Sequence, residues 1–177
     1  MNDMNELTKH RLRRKDRAIT KAEVDQILQT GMVGRLGLSR NNQPYIVPLN
    51  FAYQDGHVFF HSAETGMMID FLRSNASVCF EVDEHIATVP AATACQYDTA
   101  YRSVIAFGTA RIMTNLEERT AALRLIAAKY AGREHAEELT ARTVEKFRSS
   151  RESGTVVVDL VVDRVTGKAF QPKEPSQ

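Results

Sequence analysis

The sequence predicts a mainly β protein, a six-stranded antiparallel barrel with helices at its flanks. Six segments are rich in β-branched and aromatic residues, and turn residues separate most of them at short intervals. Segments with a helical period are too few to follow every strand, which argues against a doubly wound parallel sheet. A chain of 177 residues is long enough for one domain with its own core.

A first helix is predicted to begin after Thr20. Thr20 and Glu23 match the capping box S/T-x-x-E, in which each side chain bonds the backbone of the other residue. Gly31 is a suitable residue for the C-terminal stop. Between them, apolar residues recur at helical spacing, at Val24, Ile27 and Leu28.

Three strands follow this helix, at residues 33–40, 44–54 and 57–63. Asn41 and Asn42 favour a turn between the first two, and Asp55-Gly56 is a strong hairpin signal before the third. Glycines in the first strand permit a close approach or a bend. Pro48 argues that the second strand lies at a sheet edge or carries a bulge, because proline donates no hydrogen bond to a ladder.

The second half of the chain predicts three more strands and further helices. A short helix places Met68, Phe71 and Leu72 on one face, and Asn115 is predicted to cap a later helix. A further charged helix is predicted from Gly132 to Ser150. The strands are expected at 76–83, 101–113 and 154–170, and residues 84–98 show little periodicity, which predicts a connection.

The composition is ordinary for a globular protein, at 43% hydrophobic and 25% charged residues, with a formal net charge of +1. Residues 1–21 hold seven Lys/Arg against three Asp/Glu. The basic run from Arg11 to Arg17 suits either a nucleic-acid arm or a solvated segment. No aromatic residue is interleaved with it, so the solvated segment is favoured and no specific nucleic-acid binding is expected. We divide the chain into a basic arm (1–19), one domain (20–170) and a tail (171–177).

The residues that commonly bind metals show no metal-binding pattern. The two cysteines, Cys79 and Cys95, form no CxxC motif, and the five histidines lack zinc-ligand spacing, so no metal site is predicted. Cys79 is interpreted as a buried strand thiol, and the cysteine usage suggests a reducing compartment. No apolar run approaches ~20 residues and no secretory segment is recognised. A cytoplasmic protein is therefore expected.

The most informative unit runs from His57 to Asn75, where a strand enters a short polar turn and leaves it as an amphipathic helix. The unpaired N–H groups of a helix N-terminus and its partial positive charge favour a phosphate. Ser62, Ala63 and Gly66 surround the turn, and His61 stands at the strand end. This pairing suggests a phosphate-bearing cofactor held by the barrel.

Six motifs in order resemble the flavin-binding split-barrel superfamily, which is pyridoxamine 5'-phosphate oxidase-like, and within it most resemble the nitroimidazole-resistance (Nim) group. They are RRKDR, VGRLGL, PYIVPLNFAY, FFHSAETG with its helix, YRSVIAFGTARI and DRVTGK, across about residues 13 to 168. The resemblance implies a six-stranded split barrel. It also implies a homodimer with two FMN sites, each built across the subunit interface.

The resemblance also implies the residues that contact the cofactor. Val47, Pro48, Leu49 and Asn50 would lie beside the flavin ring, and His61, Ser62 and Ala63 would line the ring and ribityl region. Gly66, Met67 and Met68 would lie at the phosphate. Further contacts would come from Tyr101, Arg102, Ser103 and Val104.

Met68 is the main departure from the family pattern, since similar proteins often carry a lysine there that pairs with the phosphate. The phosphate would then depend on Ser62, on backbone donors and on a distant arginine, Arg35 or Arg102. Losing one charge-assisted contact costs about 1.5–3 kcal/mol, or roughly ten- to a hundredfold in affinity.

His61 is the candidate catalytic residue, since a histidine beside the flavin can give a proton to a reduced nitro group. The alternative is a strand histidine that bonds a neighbouring carbonyl. Arg102 and Ser103 alternate across their strand, so at most one meets a given ligand. Ser103 is favoured because it shares an apolar face with Ile105 and Phe107. Arg102 alternatively makes a surface ion pair.

Two functions from different classes are compatible with the sequence. The first is an FMN-dependent oxidoreductase that reduces a small, electron-poor substrate such as a nitro-aromatic compound. No GxGxxG motif follows a strand, so a reduced nicotinamide would arrive as a diffusing substrate. The second is a non-catalytic flavin- or haem-binding module, in which an axial ligand to haem would come from His10, His57, His61 or His85.

Overall fold

The computed structural model describes residues 12–149 and 152–171. Its strands are β1 (Gly34–Arg40), β2 (Gln43–Leu49), β3 (Ala52–Gln54), β4 (His57–Ala63), β5 (Ser77–Val89), β6 (Asp98–Ile112) and β7 (Thr155–Phe170). Its α-helices are α1 (Lys21–Thr30), α2 (Met67–Ser74), α3 (Leu116–Tyr130), α4 (Arg133–Glu138) and α5 (Ala141–Lys146). The strands form one antiparallel sheet in the order β2-β1-β5-β6-β7-β4-β3, which confirms the mainly β class with flanking helices.

The sheet has seven strands rather than the six predicted. The predicted strand 44–54 breaks at Asn50 and Phe51 into β2 and β3, which lie at opposite edges of the sheet. Only two residues join Leu49 to Ala52, so these edges lie within roughly 11 Å of each other. The sheet therefore curls into an open barrel whose hydrogen-bond ladder does not close. Phe51 is buried at this corner, where its backbone N–H donates to Tyr130 Oη at 3.0 Å.

The predicted connection at 84–98 is also wrong, because β5 continues to Val89 and β6 begins at Asp98. These two strand ends pair as a hairpin extension, with Val89 opposite Asp98. Both faces of β5 are exposed after Val82. Apolar and polar residues alternate along a strand only where one face is buried. The sequence of this extension therefore shows no alternation that would predict a strand.

The helix starts follow the predicted signals. Thr20 caps α1 in a complete capping box with Glu23, and Asn115 caps α3 by accepting from the N–H of Glu118 at 3.0 Å. The predicted charged helix 132–150 is instead two short helices, α4 and α5. The helical path is interrupted before Thr140, which is the N-cap of α5. Its hydroxyl accepts a hydrogen bond from the N–H of Thr143.

The interior of the barrel is apolar, with Phe60 and Phe80 fully buried at its centre. Gly34 permits the close approach of the Phe80 ring, because a Cβ at position 34 would overlap it. This confirms the predicted role of a glycine in this strand. The buried residues of α1 and α2 belong to the same core. By contrast, α3 packs on the outer face of β4 and β7, where Met113, Ala122 and Val157 form a second, smaller cluster.

Most of the described part of the basic run is exposed, at residues 13–16, as expected for a solvated segment, but its last residue packs on the domain. The guanidinium of Arg17 lies 3.7 Å from the ring centroid of Phe170 and 3.8 Å from Asp98. Ala18 forms a bridge with Lys168. Residues 1–11 of the arm and 172–177 of the tail lie outside the described residues. Within the described chain, no helix is long and apolar enough to cross a membrane.

Candidate functional site

The turn between β4 and α2 exposes backbone donors. Gly66 is the N-cap of α2, and no side chain caps this helix. Its φ of 131° is a conformation that favours glycine, and nothing lies within 4 Å of the point where a Cβ would stand. The carbonyl of Gly66 accepts from the N–H of Asp70 at 3.0 Å, whereas a helix leaves its first N–H groups without intrahelical partners. The start of α2 is therefore open to an anion.

His61 lies on the outer face of β4, next to this turn. It is opposite Val157, which is fully buried under α3. The side chain is exposed at its outer side, yet enough protein surrounds the ring for burial to lower the pKa of the His61 imidazole. No hydrogen bond or ion pair of the His61 side chain occurs within the described residues. The ring is thus available to a ligand.

The remaining residues of the turn differ in their surroundings. Ser62 is half-buried opposite Val156, and Ala63 is exposed opposite Thr155. The N–H of Glu64 donates to Ser153 Oγ at 3.2 Å, which ties the turn to the segment before β7. Met67 is 56% exposed, whereas Met68 packs against the main core.

Val47, Pro48, Leu49 and Asn50 lie at the end of β2, and β2 is an edge strand as Pro48 predicts. Val47 and Leu49 pack against the same core as Met68, which brings this strand and the start of α2 to one core. Pro48 and Asn50 are exposed. Both groups of predicted contacts therefore adjoin the main core of the barrel.

The four predicted contacts in β6 have different environments. Val104 is buried in the core, and Tyr101 lies beneath Arg17 at 6.0 Å. Arg102 forms an ion pair with Glu84 at 2.8 Å. Ser103 is half-buried and shares the outer face with Ile105, which is 40% exposed. The shared face predicted for Ser103 and Ile105 is therefore present on the outside of the barrel.

Both arginines suggested for the phosphate are already paired. Arg35 lies 3.0 Å from Glu81 and also bonds Asp83, and these partners raise the pKa of the Arg35 guanidinium. Burial raises the pKa of Glu81 despite this pairing. Arg102 is held by Glu84, as described above. In this arrangement neither guanidinium faces the start of α2 as an unpaired cation.

Within one protomer the predicted contacts in β6, residues 101–104, lie away from the turn between β4 and α2. His61 is opposite Val157 and Ser103 is opposite Lys168, so the two positions are separated by eleven residues along β7. At about 3.3 Å per residue that is roughly 36 Å along the strand. The two groups of predicted contacts therefore lie near opposite ends of β7 in one chain.

A buried ionic network on the outer face was missed by the sequence reasoning. The carboxylate of Asp159 is 1% exposed and accepts from Arg111 Nη2 at 2.8 Å and from Arg111 Nε at 3.0 Å. Its other oxygen lies 2.8 Å from His57 Nδ1. One signal could have revealed it: Asp159 interrupts the run VVVDLVV, and an acidic residue within a buried strand needs a partner.

The histidines suggested as haem ligands are also differently placed. His57 is held by Asp159, and His85 Nε2 lies 3.0 Å from Thr88 Oγ1. His10 lies outside the described residues. No group of three or more His, Cys, Asp or Glu side chains suited to a metal ion occurs among residues 12–149 and 152–171.

Several solved structures share this fold. A protein of Bacteroides thetaiotaomicron VPI-5482, to which 5-nitroimidazole antibiotic resistance has been attributed, is 24% identical with a TM-score of 0.67, and 85% of each chain is covered. The flavocytochrome Anf3 of Azotobacter vinelandii is 20% identical with a TM-score of 0.76, covering 96% of this chain and 77% of that one. An FAD-binding protein of Mesorhizobium loti is 25% identical with a TM-score of 0.58, covering 88% and 98%.

A curated relative matches a shorter stretch. An uncharacterized protein of Rhizobium meliloti strain 1021 is 32% identical over 68 residues, which are 38% of this chain and 44% of that protein. The match thus spans less than half the length of the curated relative. The family model described as pyridoxamine 5'-phosphate oxidase matches residues 20–169, nearly the whole described domain. Together with the split-barrel-like sheet, this match shows that the chain belongs to the pyridoxamine 5'-phosphate oxidase family.

Proposed function

We propose that this protein is an FMN-dependent oxidoreductase that reduces a small, electron-poor substrate, for example a nitro-aromatic compound. The observation that carries the proposal is the uncapped start of α2 beside His61. Family membership and flavin-binding proteins with the same fold support a flavin there. When bound, the flavin supplies the electron transfer that side chains cannot perform.

The residues of this chain fit a flavin phosphate at the turn. Gly66 leaves open space above its backbone, and the first N–H groups of α2 supply donors and a partial positive charge. No lysine stands at Met68, and the two arginines suggested for the phosphate, Arg35 and Arg102, are paired with carboxylates. Backbone donors and Ser62 would therefore carry most of the phosphate binding. We expect a weaker site than one with a paired lysine.

His61 would hold and deliver a proton in this function. It stands at the strand end, next to the phosphate turn, and has no partner within the described chain. Burial lowers the pKa of its imidazole, which makes the protonated ring a stronger acid and also reduces the fraction of the ring that is protonated at neutral pH. A ring of this kind is suited to give a proton to a substrate that has accepted electrons.

A homodimer completes the proposed site. The outer face of the sheet carries exposed apolar side chains that a partner chain would cover, among them Ile46 of β2 (65%) and Ile105 of β6 (40%). The separation along β7 means that Tyr101–Val104 would serve a site together with the partner's turn. Light scattering with FMN at micromolar concentration should give a dimer, and a monomer would contradict the shared site.

A flavin titration tests the proposal directly. Fluorescence quenching should show tighter binding for FMN than for riboflavin, because only FMN has the phosphate that the start of α2 would bind. FAD is the third ligand, since one similar structure is of an FAD-binding protein. Equal affinities for FMN and riboflavin would show that the start of α2 does not bind the phosphate.

A non-catalytic flavin- or haem-binding module is the second candidate. One observation favours haem: Asp159 engages His57 Nδ1 and leaves Nε2 free to coordinate iron. The absorbance spectrum of the purified protein separates the two cofactors. Flavin absorbs near ~370 and ~450 nm, and haem gives a Soret band near ~400 nm.

A further inference from the structure

A groove lies between α3 and the outer face of the sheet, at the start of β4. It encloses about 430 Å³, a volume within the range of small-molecule sites. Its walls are mostly apolar, including Phe59, Met113 and Leu125. The polar residues at the groove are Gln54, Asp55, His57, Arg111, Glu118 and Asp159.

Most hydrogen-bond donors of this groove are used within the protein. Arg111 directs Nε and Nη2 to Asp159, while its Nη1 lies 3.7 Å from Glu118, an ion pair too long to be a hydrogen bond. Gln54 Nε2 donates to Asp55 at 3.3 Å. His57 engages Asp159 through Nδ1 at 2.8 Å. A ligand therefore meets few free donors.

Acceptors, by contrast, remain available. His57 is 38% exposed, and its Nε2 has no partner within the described chain, so a neutral ring presents a lone pair there. Asp55 and Glu118 are exposed carboxylates at the groove. With Asp159 they make three carboxylates against one guanidinium, a formal charge of −2 when His57 is neutral.

We propose that this groove is a second binding site, separate from the flavin turn, for a small amine that carries an aromatic or other apolar body. The apolar walls would receive the body, while the ammonium group would donate to His57 Nε2 and to Glu118. His57 and Phe59 stack at 5.8 Å with an angle of 8°, which fixes the orientation of the imidazole. His57 Nε2 could also coordinate haem iron, but the propionates of haem would meet carboxylates and few free donors in this groove.

The test uses three probes with the same phenyl body: 2-phenylethylamine, 2-phenylethanol and 3-phenylpropanoate. Ligand-observed NMR and calorimetry should give a Kd on the order of 0.1–1 mM for the amine and at least tenfold weaker binding for the other two. Equal binding of the alcohol or the carboxylate would overturn the proposal.

Glu118→Gln is the decisive variant, and Glu117→Gln on the same helical turn is its matched control. Glu118 is exposed, so both variants should keep the wild-type Tm. Glu118→Gln should weaken the amine about fivefold or more and improve the carboxylate, since it also frees Arg111. Glu117→Gln should change neither by more than about twofold. An unchanged amine affinity in Glu118→Gln would overturn the proposal.

Haem is the competing occupant, and hemin is the probe for it. Added hemin should give the same spectrum with wild-type protein and with His57→Gln. A ligated Soret band in the wild type that is lost in His57→Gln would make the groove a haem site and overturn the amine proposal. Neither outcome depends on flavin at the α2 turn, so the two proposals fail separately.

Discussion

His57 and His61 lie four residues apart on the same face of β4, yet their environments differ completely. His57 engages the buried carboxylate of Asp159 at 2.8 Å. His61 faces Val157 across the ladder and has no polar partner within the described chain. Burial therefore lowers the pKa of the His61 ring without any charge to offset it.

This difference shows that the environment of each histidine is determined by the neighbouring strand β7 rather than by β4 itself. Asp159 and Val157 are two residues apart on β7 and so project from the same face. The carboxylate orients His57 by fixing one ring nitrogen, while the valine leaves both nitrogens of His61 to a ligand. The first arrangement suits a rigid binding site, and the second suits proton transfer.

The largest expected effect comes from removing the carboxylate that distinguishes the two histidines. Asp159→Ala should lower the free energy of unfolding by about 2–4 kcal/mol, because it breaks a buried ion pair and leaves Arg111 and His57 without their acceptor. Urea unfolding measures this loss. Asp163→Ala, at an exposed position of the same strand, should change stability by less than about 0.5 kcal/mol. A loss below about 1 kcal/mol for Asp159→Ala would mean that the network does not stabilise the fold.

The second prediction concerns the histidine without a partner. His61→Ala should lower kcat on a nitro-aromatic substrate by roughly 10²-fold, the lower end for general acid catalysis, while the Kd for FMN moves by less than about tenfold. Folding should survive, because an alanine at an exposed position leaves no closed cavity. Steady-state rate, flavin content and Tm are measured on one preparation, with His135→Ala as the control. Normal flavin content with an unchanged rate would make His61 a bystander.

A smaller effect is expected at the phosphate end of the turn. Met68→Lys should tighten FMN binding by about 1.4 kcal/mol, or tenfold, since it adds a cation near the phosphate. Met68 is packed on the core and Met67 is exposed, so a lysine at 68 must extend past the core to the turn. Met67→Lys is the matched variant and should tighten binding less. The reverse order would show that Met67 faces the phosphate and that the family pattern is displaced by one residue here.

The smallest effect is a pH dependence of stability that arises from His61. Its pKa is lowered in the folded protein, so as the pH falls below about 6.5 the unfolded chain binds a proton that the folded chain does not. The free energy of unfolding should therefore decrease towards acid through this window and be unaffected by His61 above it. Urea unfolding at pH 7.5 and 5.5 should show a flatter dependence in His61→Gln. Identical slopes for the two proteins would mean that burial does not lower the pKa of His61 in the folded protein.

The local signals in the sequence predicted much of the secondary structure. The capping box at Thr20, the cap at Asn115 and the edge position of Pro48 all depend on a few adjacent residues, and the structure contains each of them. The predictions that failed depend on distant residues. The strand 44–54 breaks because its two halves pair with different strands, and the 84–98 extension pairs without burying either face.

The sequence alone determined the mainly β class, the starts of α1 and α3, the glycine turn before α2 and the family, because each follows from local spacing or from motifs in order. Only the tertiary structure decided that Asp159 lies beside His57, that Arg35 and Arg102 are already paired, and that Tyr101–Val104 lie far from the turn of the same chain. These facts depend on strand order and register. Register in a sheet is set by the burial of whole faces across many strands, and no single segment carries that information.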